Sequence, residues 1–155
     1  MWALNYFKYS AIVIINYMQY KLILVSIIHR NNKSELLLVR RNREPGYGQW
    51  SLPGGTGALE REPDPELAIS AEVFGDFETN ILSPKLFRLK YTADPEPTLH
   101  LYFHGKLEGE PKIKSVKTIK EIKWIAIENI AQIDLAFKNV DLEIIEKFKA
   151  KFKSH

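Results

Sequence analysis

Residues 50–78 read WSLPGGTGALEREPDPELAISAEVFGDFE. The piece begins as a short extended segment and closes on the glycine pair Gly54-Gly55. Gly57, Pro63 and Pro65 make residues 56–65 a loop. Pro65 is suited to open a helix, with Asp64 as its N-cap and Glu66 in the first turn. The spacing predicts a helix from residue 65 to residue 74 or 76. On that helix Glu72 and Asp76 lie four apart, so both carboxylates project from one face. Paired carboxylates without thiolate or imidazole are hard oxygen ligands, suited to Mg2+ or Mn2+. Gly54 and Gly55 carry no side chain and let backbone amides approach a phosphate closely. Taken alone, the carboxylate spacing fits a solvated helix face better than a metal site, because charged side chains are mostly exposed. The surrounding residues tip the reading.

Outward from this piece, the chain reads mainly as strands. Residues 22–29 and 35–41 are apolar β-type runs joined by the polar cluster Arg30-Asn31-Asn32-Lys33-Ser34, which predicts a hairpin. Arg40, Arg41 and Arg43 end its second strand; they are surface charge at a strand end or, for at least one of them, a contact to a phosphate or a base, given the forked guanidinium, with Arg40 and Arg41 the first candidates. Residues 85–92 and 98–104 alternate around Asp94-Pro95-Glu96-Pro97. This places Leu99, Leu101 and Phe103 on one face and His100, Tyr102 and His104 on the other. A metal pair on His100 and His104 lacks companions at ligand spacing, so half-buried histidines are the expectation. Residues 121–127 are one more strand, and Val140, Ile144, Ile145, Phe148 and Phe152 fall at helical spacing near the C-terminus. Trp50 and Trp124 are expected in the core.

The chain has 155 residues, 22 Lys plus Arg against 19 Asp plus Glu, and no cysteine. That length suits one domain. The absence of cysteine excludes disulfides and thiolate metal sites and makes a cytoplasmic location the default. The net charge of +3 is too small to indicate nucleic acid, and the lysines of residues 106–123 are interleaved with Glu108, Glu110 and Glu121 without aromatic stacking partners. The apolar run 11–28 is interrupted by Asn16, Gln19 and Lys21, lacks a basic lead and is rich in Ile and Val, so strand is expected and a membrane span is not. Met18 reads as a natural start. Residues 1–17 are therefore taken as an N-terminal extension (an extra strand or a start-site artefact) before a single domain at 18–155.

Four pieces resemble the Nudix hydrolase family: GQWSLPGG (residues 48–55), ELLLVRR (35–41), EIKWIAIENI (121–130) and DLAF (134–137). The resemblance covers roughly residues 18–150, and DLAF is similar to members that cleave ADP-ribose. The family's box is a Gly, five residues, a Glu, seven residues, Arg-Glu, two residues, Glu-Glu, one residue and a Gly. Two extra residues in the Pro-containing loop align Ala71-Glu72-Val73-Phe74-Gly75-Asp76 with its core. Glu72 then takes the first core Glu, Gly75 the second and Asp76 the third. Ala71 replaces the Arg and Glu78 the final Gly, while the early Glu is Glu60 or Glu62.

The resemblance implies an α+β fold, a Nudix-type α/β/α sandwich around a mixed β-sheet. It implies Mg2+ or Mn2+ on Glu72 and Asp76, with Glu62 as a further ligand candidate, and substrate contacts from Arg40, Arg41, Gly54 and Gly55. The implied activity is hydrolysis of the pyrophosphate of a nucleoside diphosphate derivative such as ADP-ribose. Gly75 and the shorter Asp76 thin the metal cage. The alternative is accordingly a catalytically impaired nucleotide-binding or regulatory module. Glu108, Glu110 and Glu121 are the available carboxylates for a general base, and a homodimer is compatible with the family.

Overall fold

The computed structural model describes residues 19–153. Two long strands set the frame: β1 (Lys21–Arg30) and β2 (Glu35–Arg41). They pair antiparallel only beside their turn, at His29↔Leu36 and Arg30↔Glu35, and then part. The short β3 (Trp50–Ser51) pairs with β2, and β4 (Gly54–Thr56) takes the edge that β1 has vacated, at Ile23↔Thr56, Leu24↔Gly55 and Val25↔Gly54. Next come α1 (Ala58–Arg61) and α2 (Pro65–Phe77), then β5 (Ile81–Thr92), β6 (Thr98–Leu107) and β7 (Ile119–Ala126). A 3-10 turn (Ile127–Gln132) leads to α3 (Lys138–Phe152). Among the described residues the sheet has seven strands, with β1–β6 parallel and β5–β6 and β2–β7 antiparallel.

Both faces of this mixed sheet are covered, which is why β1 and β2 read as nearly unbroken apolar runs. Leu24, Ile28, Leu37 and Val39 point to the α2 side, where Ala68, Ile69, Val73 and Phe77 meet them. Val25, Ile27, Leu36 and Leu38 point to the α3 side, against Ile144, Ile145 and Phe148. The result is an α+β fold of the α/β/α kind.

The cap expected at Asp64 is formed: its carboxylate accepts from the amides of Glu66 (2.9 Å) and Leu67 (3.2 Å). Helix α2 ends one residue beyond the expected limit, where Glu78 turns left-handed at φ 56° and donates its amide to the Phe74 carbonyl. The expectation of loop throughout residues 56–65 needs correction. Residues 58–61 form α1, because Ala58 is buried in the α2-side core and anchors one turn there. β5 starts at Ile81, ahead of the expected residue 85, because a bulge between Leu82 and Lys85 absorbs Ser83 and Pro84. The Lys-rich segment after β6 is not wholly loose. Its Lys112 and Lys114 amides donate to the Phe77 and Asp76 carbonyls, fastening it to the end of α2.

Trp50 and Trp124 are half-buried rather than fully enclosed, and the Arg30 guanidinium covers the Trp124 ring at 4.4 Å. The histidines of β6 separate. His104 lies with its Nδ1 3.3 Å from Nε2 of His29, among Phe87, Phe148 and Phe152, whereas His100 sits near the opposite end of the strand. Among the described residues no helix is long and apolar enough to cross a membrane. Of the apolar run 11–28, residues 21–28 belong to β1, and the expected N-terminal extension at 1–17 lies outside the described residues.

Candidate functional site

The site forms where β1 and β2 part. The chain leaving β2 is held in a tight loop by the Gly48 amide on the Arg41 carbonyl (2.9 Å) and by Arg40 Nε on the Gly48 carbonyl (2.9 Å). Residues 134–136 then run beside β3, with the Trp50 amide on the Asp134 carbonyl (3.0 Å) and the Ala136 amide on the Trp50 carbonyl (2.8 Å). This places Phe137 at the mouth of the split. Past β3, the Pro53 carbonyl accepts from the Ser26 amide at 2.8 Å and draws the glycine pair under β1.

A side chain has no room at Gly54, and at Gly55 it would displace the Glu72 carboxylate. A Cβ on Gly54 would lie 2.6 Å from the Leu24 carbonyl oxygen, and one on Gly55 would fall on the Glu72 carboxylate. The pair is therefore needed first for packing. It lets β4 pass between β1 and the carboxylate helix, and it leaves backbone lining the site.

Glu72 and Asp76, one turn apart on α2, are both half-buried and line a polar cavity of about 170 Å³ with Arg43, Ser51, Ser115 and Thr118. Burial pushes the Glu72 carboxyl up from its ordinary value, against the pull of Arg61 and Arg43. Burial, and then the neighbouring Glu72 charge, push Asp76 up to about 6, against the Ser115 hydrogen bond and Arg43. Ser115 also donates to the Gly75 carbonyl at 3.2 Å. The fold thus holds two partly desolvated carboxylates together, which a cation would relieve.

The donor set fits one small hard cation that keeps much of its water. It does not fit a cage for several metals. Among the described residues no three or more His, Asp or Glu side chains gather as a metal-binding group. Glu62 accepts the Asp64 amide at 3.1 Å and does not line the cavity, and neither does Glu60. Glu108 accepts from Asn80 (3.0 Å), Glu121 pairs with Arg40 (3.6 Å), and Glu110 is exposed, so the suggested bases stand outside as well.

A second cavity of about 460 Å³ adjoins the first and shares Arg41, Arg43, Gly54 and Gly55 with it. Phe137 forms part of its wall, with the Arg41 guanidinium 4.8 Å from the ring centre and Arg41 Nε on the Pro45 carbonyl (2.6 Å). Asp141, only 5% exposed, also lines it and accepts the Tyr102 hydroxyl at 2.7 Å. Burial pushes its carboxyl up to about 6. His100 Nδ1 faces the Lys90 carbonyl at 3.3 Å, and since a carbonyl can only accept, that nitrogen carries the hydrogen.

Of the residues expected from sequence, Arg41, Gly54, Gly55, Glu72 and Asp76 come together. Arg40 and Glu62 do not: both are engaged in local bracing. Arg43, one of the three candidate arginines, lines both cavities, whereas Ser51 and Asp141 are not marked as site residues by the sequence. Asp141 carried a signal, because it is a carboxylate at helical spacing with the buried Ile144, Ile145 and Phe148.

The family model described as NUDIX domain matches residues 21–148. No curated protein matches the chain. Among solved structures, the chain is similar to the NUDIX domain of Shewanella oneidensis NrtR complexed with ADP ribose, at 17% identity and a TM-score of 0.73, covering 92% of this chain and 98% of that one. It is similar to a NUDIX hydrolase from Nitrosomonas europaea at 19% identity and a TM-score of 0.71, covering 86% and 90%. A bifunctional NMN adenylyltransferase/ADP ribose pyrophosphatase from Francisella tularensis, complexed with AMP and a Mn ion, matches at 22% identity and a TM-score of 0.62. That match covers 93% of this chain and 46% of the larger protein. At these identities the likeness is one of fold.

Proposed function

Because this chain belongs to the NUDIX family, we propose that it is a phosphohydrolase that cleaves the pyrophosphate of a nucleoside diphosphate derivative, with ADP-ribose the first substrate to try. The functional unit is the domain at 18–155. The observation that carries this reading is the shared wall of the two cavities: a larger compartment with Phe137 and Asp141 in its wall adjoins a carboxylate compartment across Arg41, Arg43, Gly54 and Gly55. A ligand with a flat ring at one end and a diphosphate in the middle matches that sequence of surfaces. Two similar folds support the choice, one bound to ADP ribose and one carrying ADP ribose pyrophosphatase in its name.

In this reading Phe137 takes the ring, and Asp141 accepts hydrogen bonds from its donors. Arg41 and Arg43 neutralise the diphosphate, in the manner suited to a forked guanidinium. Glu72 and Asp76 hold Mg2+ or Mn2+, which when bound draws electron density from the phosphorus and acidifies water. Water oxygen bonds to phosphorus as the bridging oxygen leaves, giving two phosphate monoesters. The test is a panel of nucleoside diphosphate derivatives with Mg2+ or Mn2+, read by released monoester. ADP-ribose turnover is the expected result, and no product from any member would sink the enzyme reading.

Gly75 in the middle of the box favours a second reading, a nucleotide-binding module of little turnover. The position tolerates a side chain, since a Cβ on Gly75 would meet nothing within 4 Å. Gly75→Glu is therefore expected to fold, gaining about 0.5–1 kcal/mol from helix propensity before charge repulsion. As a hydrolase site short of one carboxylate, it should gain tenfold or so in metal-dependent rate, roughly the scale of added cation support. A wild type that binds ADP-ribose without turnover, beside an active Gly75→Glu, would assign the module reading.

A further inference from the structure

The carboxylate cavity holds a buried hydroxyl with no hydrogen-bond partner. Ser51 is 1% exposed, and its hydroxyl makes no hydrogen bond. It is paired with Val39 across β2 and β3, and directly opposed residues share a face. Val39 belongs to the α2-side core, while Trp50, the next residue along β3, packs on the α3 side. Ser51 therefore faces α2, and it lines the same cavity as Glu72 and Asp76.

The cavity's other hydroxyls differ: Thr56 is exposed to water, and Ser115 and Thr118 are committed. Ser115 donates to the Gly75 carbonyl at 3.2 Å, and Thr118 donates to the Ser115 carbonyl at 3.3 Å. A buried hydroxyl without a partner is costly, and alanine would fill this strand position without that cost. The hydroxyl therefore points to a partner outside the protein. The nearest chemistry is the carboxylate pair, whose cation would keep several waters. Each such water donates, and a serine oxygen both accepts from it and has a hydrogen to pass on.

We propose that Ser51 anchors the hydration shell of the cation held by Glu72 and Asp76, supplying a third protein oxygen where Gly75 has removed one from the helix. It is a positioning residue, and its role rests on the reading of the carboxylate pair as a cation site. Partners of this kind typically change metal affinity 10–100-fold.

Mn2+ binding to the full chain, followed by electron paramagnetic resonance and calorimetry, separates the possibilities. Ser51→Ala is expected to weaken Mn2+ binding about tenfold, with the metal-free melting temperature unchanged or raised. The isosteric pair Ser51→Thr and Ser51→Val gives the same contrast should alanine fail to fold, with threonine retaining affinity and valine losing it. A lowered metal-free melting temperature with wild-type Mn2+ affinity would mean a structural serine and overturn the proposal. Glu72→Gln is the companion. If it too binds Mn2+ normally, the cation site itself is misplaced. If it loses Mn2+ while Ser51→Ala does not, only the role of Ser51 fails.

Discussion

Glu72→Gln is expected to lower metal-dependent pyrophosphate hydrolysis about 100-fold or more, and in the same protein to raise the melting temperature of the metal-free form. The two effects share a cause. Burial disfavours the ionised forms of Glu72 and Asp76, and the Glu72 charge adds to the burden on Asp76, whose carboxyl is pushed up to about 6. A carboxyl raised in the fold binds more protons folded than unfolded between its ordinary value and 6. Ionised Asp76 therefore opposes folding above pH 6, by up to about 3 kcal/mol for a shift of this size. That opposition fades as the pH falls through 6. A cation bound to the pair removes it at neutral pH, and so, in part, does replacing one charge by an amide.

The measurements are turnover with saturating Mn2+ and thermal melting in chelator at pH 7.5. Turnover that persists unchanged would show that the pair holds no catalytic cation. A metal-free melting temperature that falls would show that the Glu72 carboxylate makes a favourable contact and is not a strained charge.

The second large effect lies at the other end of β1 and β6. His29 is 4% exposed, packs on Phe148 and has its Nδ1 buried without a partner. Burial comes first, then the charges of His104, Lys33 and Lys106, and together they lower its imidazole to about 4. His104 is lowered as well, by burial and by Lys33, Lys151 and Lys85. A histidine lowered in the fold binds fewer protons folded than unfolded. Its contribution is intact above pH 6.5 and is lost as the pH falls from 6.5 through 4. For His29 the loss reaches about 3 kcal/mol.

Asp76 and Asp141 titrate with the opposite sign over an overlapping window, so the wild-type profile alone does not isolate His29. The stability difference between wild type and His29→Gln does. The fixed cost of the substitution drops out, and the difference should move by about 3 kcal/mol in favour of the variant between pH 7.5 and pH 4. Urea denaturation at the two pH values checks this, and a constant difference would mean that His29 titrates alike in the folded and unfolded chain.

Much of this molecule follows from short-range pattern. The Asp64 cap, the proline start of α2, the hairpin and the one-turn spacing of Glu72 and Asp76 depend on neighbours within a few residues. Helix and strand periodicities express these locally. The box departures at Ala71, Gly75 and Asp76 were equally plain, and so was the likeness that named the family.

What remained hidden depends on pairings across the sheet. Three arginines in a row of four residues look alike in sequence. Yet β2 turns Arg40 toward the Gly48 carbonyl and Glu121, while Arg41 and Arg43 reach the cavities. Glu62 had the composition of a ligand but is spent on the Asp64 amide. The glycine pair was read for phosphate, but Gly54 is required by the Leu24 carbonyl packed against it, and Gly55 keeps the Glu72 carboxylate in its place. Ser51 and Asp141 acquire meaning only because β1 leaves β2 after two residue pairs and opens a cavity between strands. Local sequence selects the elements because their hydrogen bonds and periodicities are short-range. Which side chains converge is decided by where distant strands pair and part, and there the chemistry of this protein is set.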